Sequence, residues 1–160
     1  MVRTLTNKHP LYYEAILQLR DVSPAAVALA EAEFLRHKIP LAKLVAVQHG
    51  YDYYVADSKF TKALGKRLQQ QFGGELLITA SLYGQKDGKE IFRLTILFRE
   101  ASFRKGEVIT YKGEEYKVQA LGREIVLQPL AGGKKVHRKY KEMALMRKSS
   151  PIPQRIKSRL

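Results

Sequence analysis

Ten basic residues crowd the end of the sequence: Lys134, Lys135, Arg138, Lys139, Lys141, Arg147, Lys148, Arg155, Lys157 and Arg159, with Glu142 the single acid after Gly133. Lysine and arginine neutralise phosphates and release the counterions condensed on them, so their shared chemistry is salt-sensitive polyanion binding. Tyr140 sits among them, where a ring could stack on an unpaired base or ribose. Lys105 and Lys112 belong to the same region and join the candidate nucleic-acid contacts. The competing explanation is a solubilising surface without a partner. The distribution of charge argues against it. Residues 1–100 carry fourteen basic and ten acidic residues, a net of +4, whereas residues 101–160 carry fifteen and five, a net of +10. Asymmetry of this kind points to nucleic acid. Sequence-specific DNA reading would need a helix-turn-helix, a zinc finger or a basic region with heptads, and none is present. An anionic membrane would call for a basic helix with a strongly apolar opposite side, and none is found.

Catalytic chemistry has little to stand on. His9, His37, His49 and His137 are scattered without metal-ligand spacing. The glycine turns Lys112-Gly113 and Gly132-Gly133-Lys134-Lys135 lack the spacing of a phosphate loop. Asp52, Asp57 and Asp87 suit turns and helix caps better than paired acid–base work. The expectation is a protein that is not an enzyme and uses no metal or cofactor. The chain has no cysteine, hence no disulfide and no thiolate zinc site. No apolar run approaches the roughly 20 residues of a membrane span. Asn7, Lys8, His9 and Pro10 interrupt any leader-like apolar stretch at the start. A cytoplasmic protein is expected.

Position comes from the elements. Over residues 50–99 the hydrophobic period runs two, then 3.6, then two again, which is strand, helix and hairpin. Tyr51–Ala56 alternates as a strand, and Asp57 or Ser58 can cap the following helix. On that helix Phe60, Ala63, Leu64, Leu68 and Phe72 share one side, and Gly73-Gly74 ends it. Lys59, Lys62, Lys66 and Arg67 lie off that side. Lys62 and Lys66 could extend a cationic surface, with an ordinary solvated helix face as the alternative. Leu76, Ile78, Ala80 and Leu82 run up one strand, Asp87-Gly88 turns, and Phe92, Leu94, Ile96 and Phe98 return. Upstream, Leu11–Leu19 alternates with Tyr13, Ala15, Leu17 and Leu19 on one side. Ser23-Pro24 opens a helix that buries Val27, Ala30, Phe34 and Leu35, and Lys43–Gln48 forms a strand. Residues 1–101 are therefore predicted as βαββαββ: an α+β domain with two helices on one face of an antiparallel-dominated sheet. The tyrosines Tyr51, Tyr53 and Tyr54 suggest a stacking platform, although core and rim packing explains alternate tyrosines better.

After the linker the strands shorten, with glycine turns every eight to twelve residues. Residues 102–146 thus predict a small SH3-like barrel with a core of Val108, Ile109, Tyr116, Val118, Ile125, Leu127 and Val136. Residues 147–160 read as a flexible basic tail.

Four motifs resemble the archaeal NMD family, relatives of the adaptor that exports the large ribosomal subunit. They are Gly50 with Tyr51-Asp52-Tyr53-Tyr54, Phe72-Gly73-Gly74, Phe92-Arg93-Leu94-Thr95, and the opening strand Tyr12–Arg20; Phe103–Val108 is similar to the start of the family's SH3-like module. The paired zinc ribbons of full-length members are lacking in this sequence. The resemblance implies a non-catalytic protein that contacts ribosomal RNA, the large ribosomal subunit or ribosomal proteins during maturation or translation. The alternative is an interaction scaffold that docks an acidic protein, with charge only steering the encounter.

Overall fold

The first helix begins where Ser23 accepts a hydrogen bond from the Ala26 amide and Pro24 takes the first helical position. This computed structural model describes residues 11–149, without the side chain of Lys86. The helix, α1 (Pro24–Arg36), buries Ala26, Ala30 and Phe34, one residue per turn. Lys38 ends it in the left-handed conformation, φ 53°. Its amide donates to the Leu35 carbonyl and that of Ile39 to Phe34, a Schellman closure built without glycine. Lys38→Gly should therefore stabilise the first unit by about 1 kcal/mol, read from urea denaturation. Leu35 was expected inside and is 79% exposed; it lies in an open groove with Ile39, Leu41 and Leu44 at the sheet edge rather than over the sheet.

The second helix, α2 (Ser58–Phe72), is capped by Asp57, which accepts from the Phe60 amide at 2.9 Å. Its buried stripe is Thr61, Leu64, Gly65 and Leu68, and Ala63 is exposed instead of inside. Gly65 explains the shift. A Cβ there would lie 2.6 Å from Ile96 Cγ2 and 3.1 Å from Leu76 Cδ1, so the helix rests on the sheet through its smallest side chain. Each helix also receives a carboxylate at its positive end: Glu100 accepts from the Ser23 amide at 2.7 Å and Glu14 from the Ser58 amide at 3.0 Å.

The chain divides into two units, Met1–Ala101 and Ser102–Leu160. In the first, β1 (Ala15–Arg20), β2 (Leu41–Val47), β3 (Gly50–Val55), β4 (Gly74–Lys86) and β5 (Lys89–Glu100) form one sheet in the order β2-β3-β1-β5-β4. Only β1 and β5 run parallel. The β4–β5 turn has Asp87 at φ 53° and Gly88 at φ 76°, the backbone that Asp-Gly favours. Ala15, Leu17, Leu19, Tyr53, Val55, Ile96 and Phe98 point to one side and form a single core with Ala26, Phe34, Leu64 and Leu68 of the helices. Period-two alternation leaves the opposite face uncovered by either helix. β1 starts at Ala15, four residues later than the alternation predicts, because the chain bends at Glu14.

The second unit contains β6 (Val108–Tyr111), β7 (Glu114–Leu121), β8 (Ile125–Pro129), β9 (Val136–Arg138), a 3-10 helix (Tyr140–Leu145) and β10 (Met146–Lys148). The sheet order is β10-β6-β7-β8-β9. Among the described residues no pairing joins β9 to β10, so the sheet is not a closed barrel. Ile109, Tyr116, Val118, Ile125 and Leu127 are buried, joined by Phe103, Tyr111, Tyr140 and Met146, while Val108 and Val136 are half-buried. Arg147 and Lys148 belong to a strand rather than a tail: β10 pairs with β6 through Met146↔Tyr111, Arg147↔Thr110 and Lys148↔Ile109. The remainder of the expected tail, with Arg155, lies outside the described residues.

Candidate nucleic-acid interface

Residues 102–149 hold twelve lysines and arginines against five carboxylates, a net of +7. The sheet separates these cations. Lys112 lies in the two-residue β6–β7 turn, where it takes φ 50° and Gly113 φ 82°. Lys134 and Lys135 follow Gly132 and Gly133 in the β8–β9 loop, which Gln128 Nε2 holds by donating to the Gly133 carbonyl at 3.1 Å. The pairing Tyr116↔Pro129 puts that turn and that loop at the same end of the sheet. Glu114 and Glu115 occupy that end as well. Lys139 and Lys141 follow β9 at the opposite end, where the Tyr140 hydroxyl donates to the Gly122 carbonyl at 2.9 Å. Arg147 and Lys148 line the outer strand β10.

Four of the five carboxylates are occupied. Glu107 lies 3.6 Å from Lys148, an exposed pair of the kind worth about 0–1 kcal/mol. Glu124 meets His137 Nδ1 at 2.9 Å, and Glu114 accepts from the Tyr116 hydroxyl at 3.0 Å. Glu142 accepts a hydrogen bond from Tyr111, which holds its carboxyl below the usual glutamate range. Lys105, Lys112, Lys134, Lys135, Lys139, Lys141 and Arg147 are exposed and make no ion pair among the described residues.

Two residues of the expected set serve the fold instead. Tyr140 is 5% exposed, so its ring packs inside the second unit and offers no face to a base. Arg138 is half-buried, turned toward Glu142 at 3.8 Å with its guanidinium 5.7 Å from the Tyr111 ring centre. Lys62 and Lys66 are exposed on α2 in the first unit. Their neighbour Arg67 is committed to Glu33 at 2.8 Å, across to α1. Lys117 and Arg123 are exposed cations of the second unit that the sequence pattern did not single out. Lys117 had a usable signal, since it alternates against the buried Tyr116 and Val118.

The tyrosines of β3 divide as alternation requires. Tyr53 is 1% exposed and its hydroxyl donates to Glu31 at 2.8 Å. Burial and that carboxylate push its ionisation well above the ordinary tyrosine range. Tyr54 points to the opposite, helix-free face.

Among the described residues no three His, Cys, Asp or Glu side chains gather into a metal-holding group, and no helix is long and apolar enough to cross a membrane. These features define a class: a basic α+β protein of two five-stranded sheets, its charge carried on turns, loops and strands. Residues 12–99 match the second domain of the NMD3 family. That match spans more than half of the sequence and coincides with the helix-covered sheet, and the chain belongs to the NMD3 family. No curated protein matches the chain. The family is ribosome-associated, its members acting with the large ribosomal subunit.

Proposed function

We propose that this chain is a non-catalytic RNA-binding protein of the cytoplasm that contacts ribosomal RNA of the large subunit during maturation or translation. The observation that carries this reading is the unbalanced cation set of the second unit. Among the described residues nine exposed lysines and arginines, the seven named above with Lys117 and Arg123, make no ion pair there. Charge left unpaired on a surface is available to phosphates, and each phosphate neutralised steepens the salt dependence of binding. We also read the second unit as an SH3-like fold left open at one seam; its meander, with a 3-10 helix ahead of the strand that returns to β6, supports this.

The test is binding of the full chain to a structured ribosomal RNA fragment across a salt series, with co-sedimentation on large subunits alongside. The expected slope of log affinity against log salt is about −0.7 to −0.9 per phosphate contacted. Replacing Lys134, Lys135, Lys139 and Lys141 with alanine should flatten that slope by up to about four and leave the melting temperature unchanged. A flat salt response in the unaltered protein, or its absence from subunit fractions, refutes the reading. The scaffold alternative gains some support from the apolar groove of Leu35, Ile39, Leu41 and Leu44 beside the edge strand β2. Subunit association that survives nuclease treatment would favour it.

A further inference from the structure

The open face of the first sheet carries a row of five side chains in strand order. Lys43 comes from β2, Tyr54 from β3, Tyr13 from the residues just before β1, Arg93 from β5 and Tyr83 from β4. Lys43 Nζ sits 4.4 Å from the Tyr54 ring centre. Tyr54 and Tyr13 meet edge to face at 4.9 Å. The Arg93 guanidinium lies 3.8 Å from the Tyr13 ring and 3.6 Å from that of Tyr83. Two local irregularities build the row. The bend at Glu14 swings Tyr13 onto the face opposite Ala15, and Arg93 holds it there by donating to the Tyr13 carbonyl and hydroxyl at 3.1 and 3.3 Å. The β-bulge between Leu82 and Gly84 presents Tyr83, which is 51% exposed.

We infer that this face is a stacking platform for unpaired nucleic-acid bases, separate from the cations of the second unit and resting on the RNA reading only for the identity of the polymer. Its chemistry favours that ligand over a protein strand. Among the described residues neither Lys43 nor Arg93 has a carboxylate partner, and aromatic rings hold both cations. Elsewhere on the face charge is neutralised internally, Arg20 by Asp52 at 2.7 Å and Arg99 by Asp21 at 2.8 Å. Glu14, beside Tyr13 in sequence, accepts from the Tyr12 hydroxyl at 2.6 Å and from the Ser58 amide. Burial and that carboxylate push the Tyr12 hydroxyl up to about 12, so it stays neutral. The row therefore combines positive charge with π-faces, the pair of features a single strand offers in complement as phosphates and bases. Five strands at about 4.8 Å spacing give it a length near 19 Å, and open sheets with such rings stack about two or three bases. Phosphates would draw the exposed Lys43 ammonium off Tyr54 and free that ring as well.

The experiment measures anisotropy of a labelled oligouridine of roughly ten nucleotides with the full chain. Tyr83→Ala should weaken binding roughly 5- to 150-fold, the factor that base stacking on one ring supplies. Tyr83→Phe keeps the π-face and should bind as the unaltered protein does. Lys43→Glu, at an exposed position, should weaken binding and flatten the salt slope by about one or more, which keeps the test open should Tyr83→Ala fold poorly. If Tyr83→Ala and Lys43→Glu both leave affinity unchanged while the lysine-to-alanine changes of the second unit abolish it, the platform is refuted and the proposed function stands. Oligouridine binding left intact by Tyr83→Ala, together with weakened association with large subunits, would assign the face to a protein and overturn the inference. A protein that binds no RNA of any kind loses both readings.

Discussion

Gly50→Ala is expected to unfold the first unit. Gly50 opens β3 and pairs with Arg20 of β1 on one side and Val47 of β2 on the other. A Cβ at this position would stand 1.7 Å from the Leu19 carbonyl oxygen and 2.8 Å from its carbon. Both are backbone atoms of a central strand, so no rotamer change relieves the overlap. β1 and β3 would have to separate, and the register that places Leu17 opposite Tyr53 and Ala15 opposite Val55 would go with them. Overpacking against side chains costs about 1–3 kcal/mol. A backbone collision between central strands should exceed about 4 kcal/mol, a large share of the roughly 5–15 kcal/mol that holds a domain together. Urea denaturation followed by circular dichroism measures the loss. Gly84→Ala is the matched control, since nothing lies within 4 Å of a Cβ there. Equal stability of the two variants would mean that the strands separate more easily than this geometry requires.

The second large effect is expected at Tyr140. Tyr140→Ala removes a ring that is 5% exposed from a unit with few large buried side chains. Truncating a buried aromatic costs about 3–5 kcal/mol, and a domain of this size has little stability in reserve. The second unit should lose its cooperative melting transition while the first keeps its own. Tyr140→Phe keeps the ring and removes the hydrogen bond to the half-buried Gly122 carbonyl, at about 0.5–1.5 kcal/mol. It should bind RNA as the unaltered protein does. A folded Tyr140→Ala with weakened RNA binding would instead place that ring in contact with the ligand.

Tyr140 also marks where reasoning from one dimension stops. Its neighbours Lys139, Lys141 and Glu142 are polar, so the local pattern gives the ring no reason to be inside. The 3-10 helix turns it inward and Gly122, eighteen residues earlier, takes its hydroxyl. Arg138 behaves alike: one more cation in the sequence, it is half-buried because Glu142 and Tyr111 meet it across a strand and a helix. Clustering along the chain did not ensure clustering in space either. Lys112 joins Lys134 and Lys135 through strand pairing, whereas Lys139, near them in sequence, lies at the other end of the sheet.

Local chemistry settled the elements of the first unit. Ser23-Pro24, Asp57 and Asp87-Gly88 each fix backbone geometry through their own side chains or allowed torsions, so their effects need no partner. Period-two alternation likewise determined which of Leu17, Leu19, Ile96 and Phe98 face together, because a strand has only two sides. Tertiary structure decided the rest. It set the parallel neighbourhood of β1 and β5, the carboxylates that reach the helix ends from Glu14 and Glu100, and the approach of Gly65 to Ile96. It also lined up Lys43, Tyr54, Tyr13, Arg93 and Tyr83 from five separate segments. Contacts of that kind join residues up to about eighty positions apart, as Arg93 and Tyr13 are, and a pattern read over a few turns or one strand holds no information at that range.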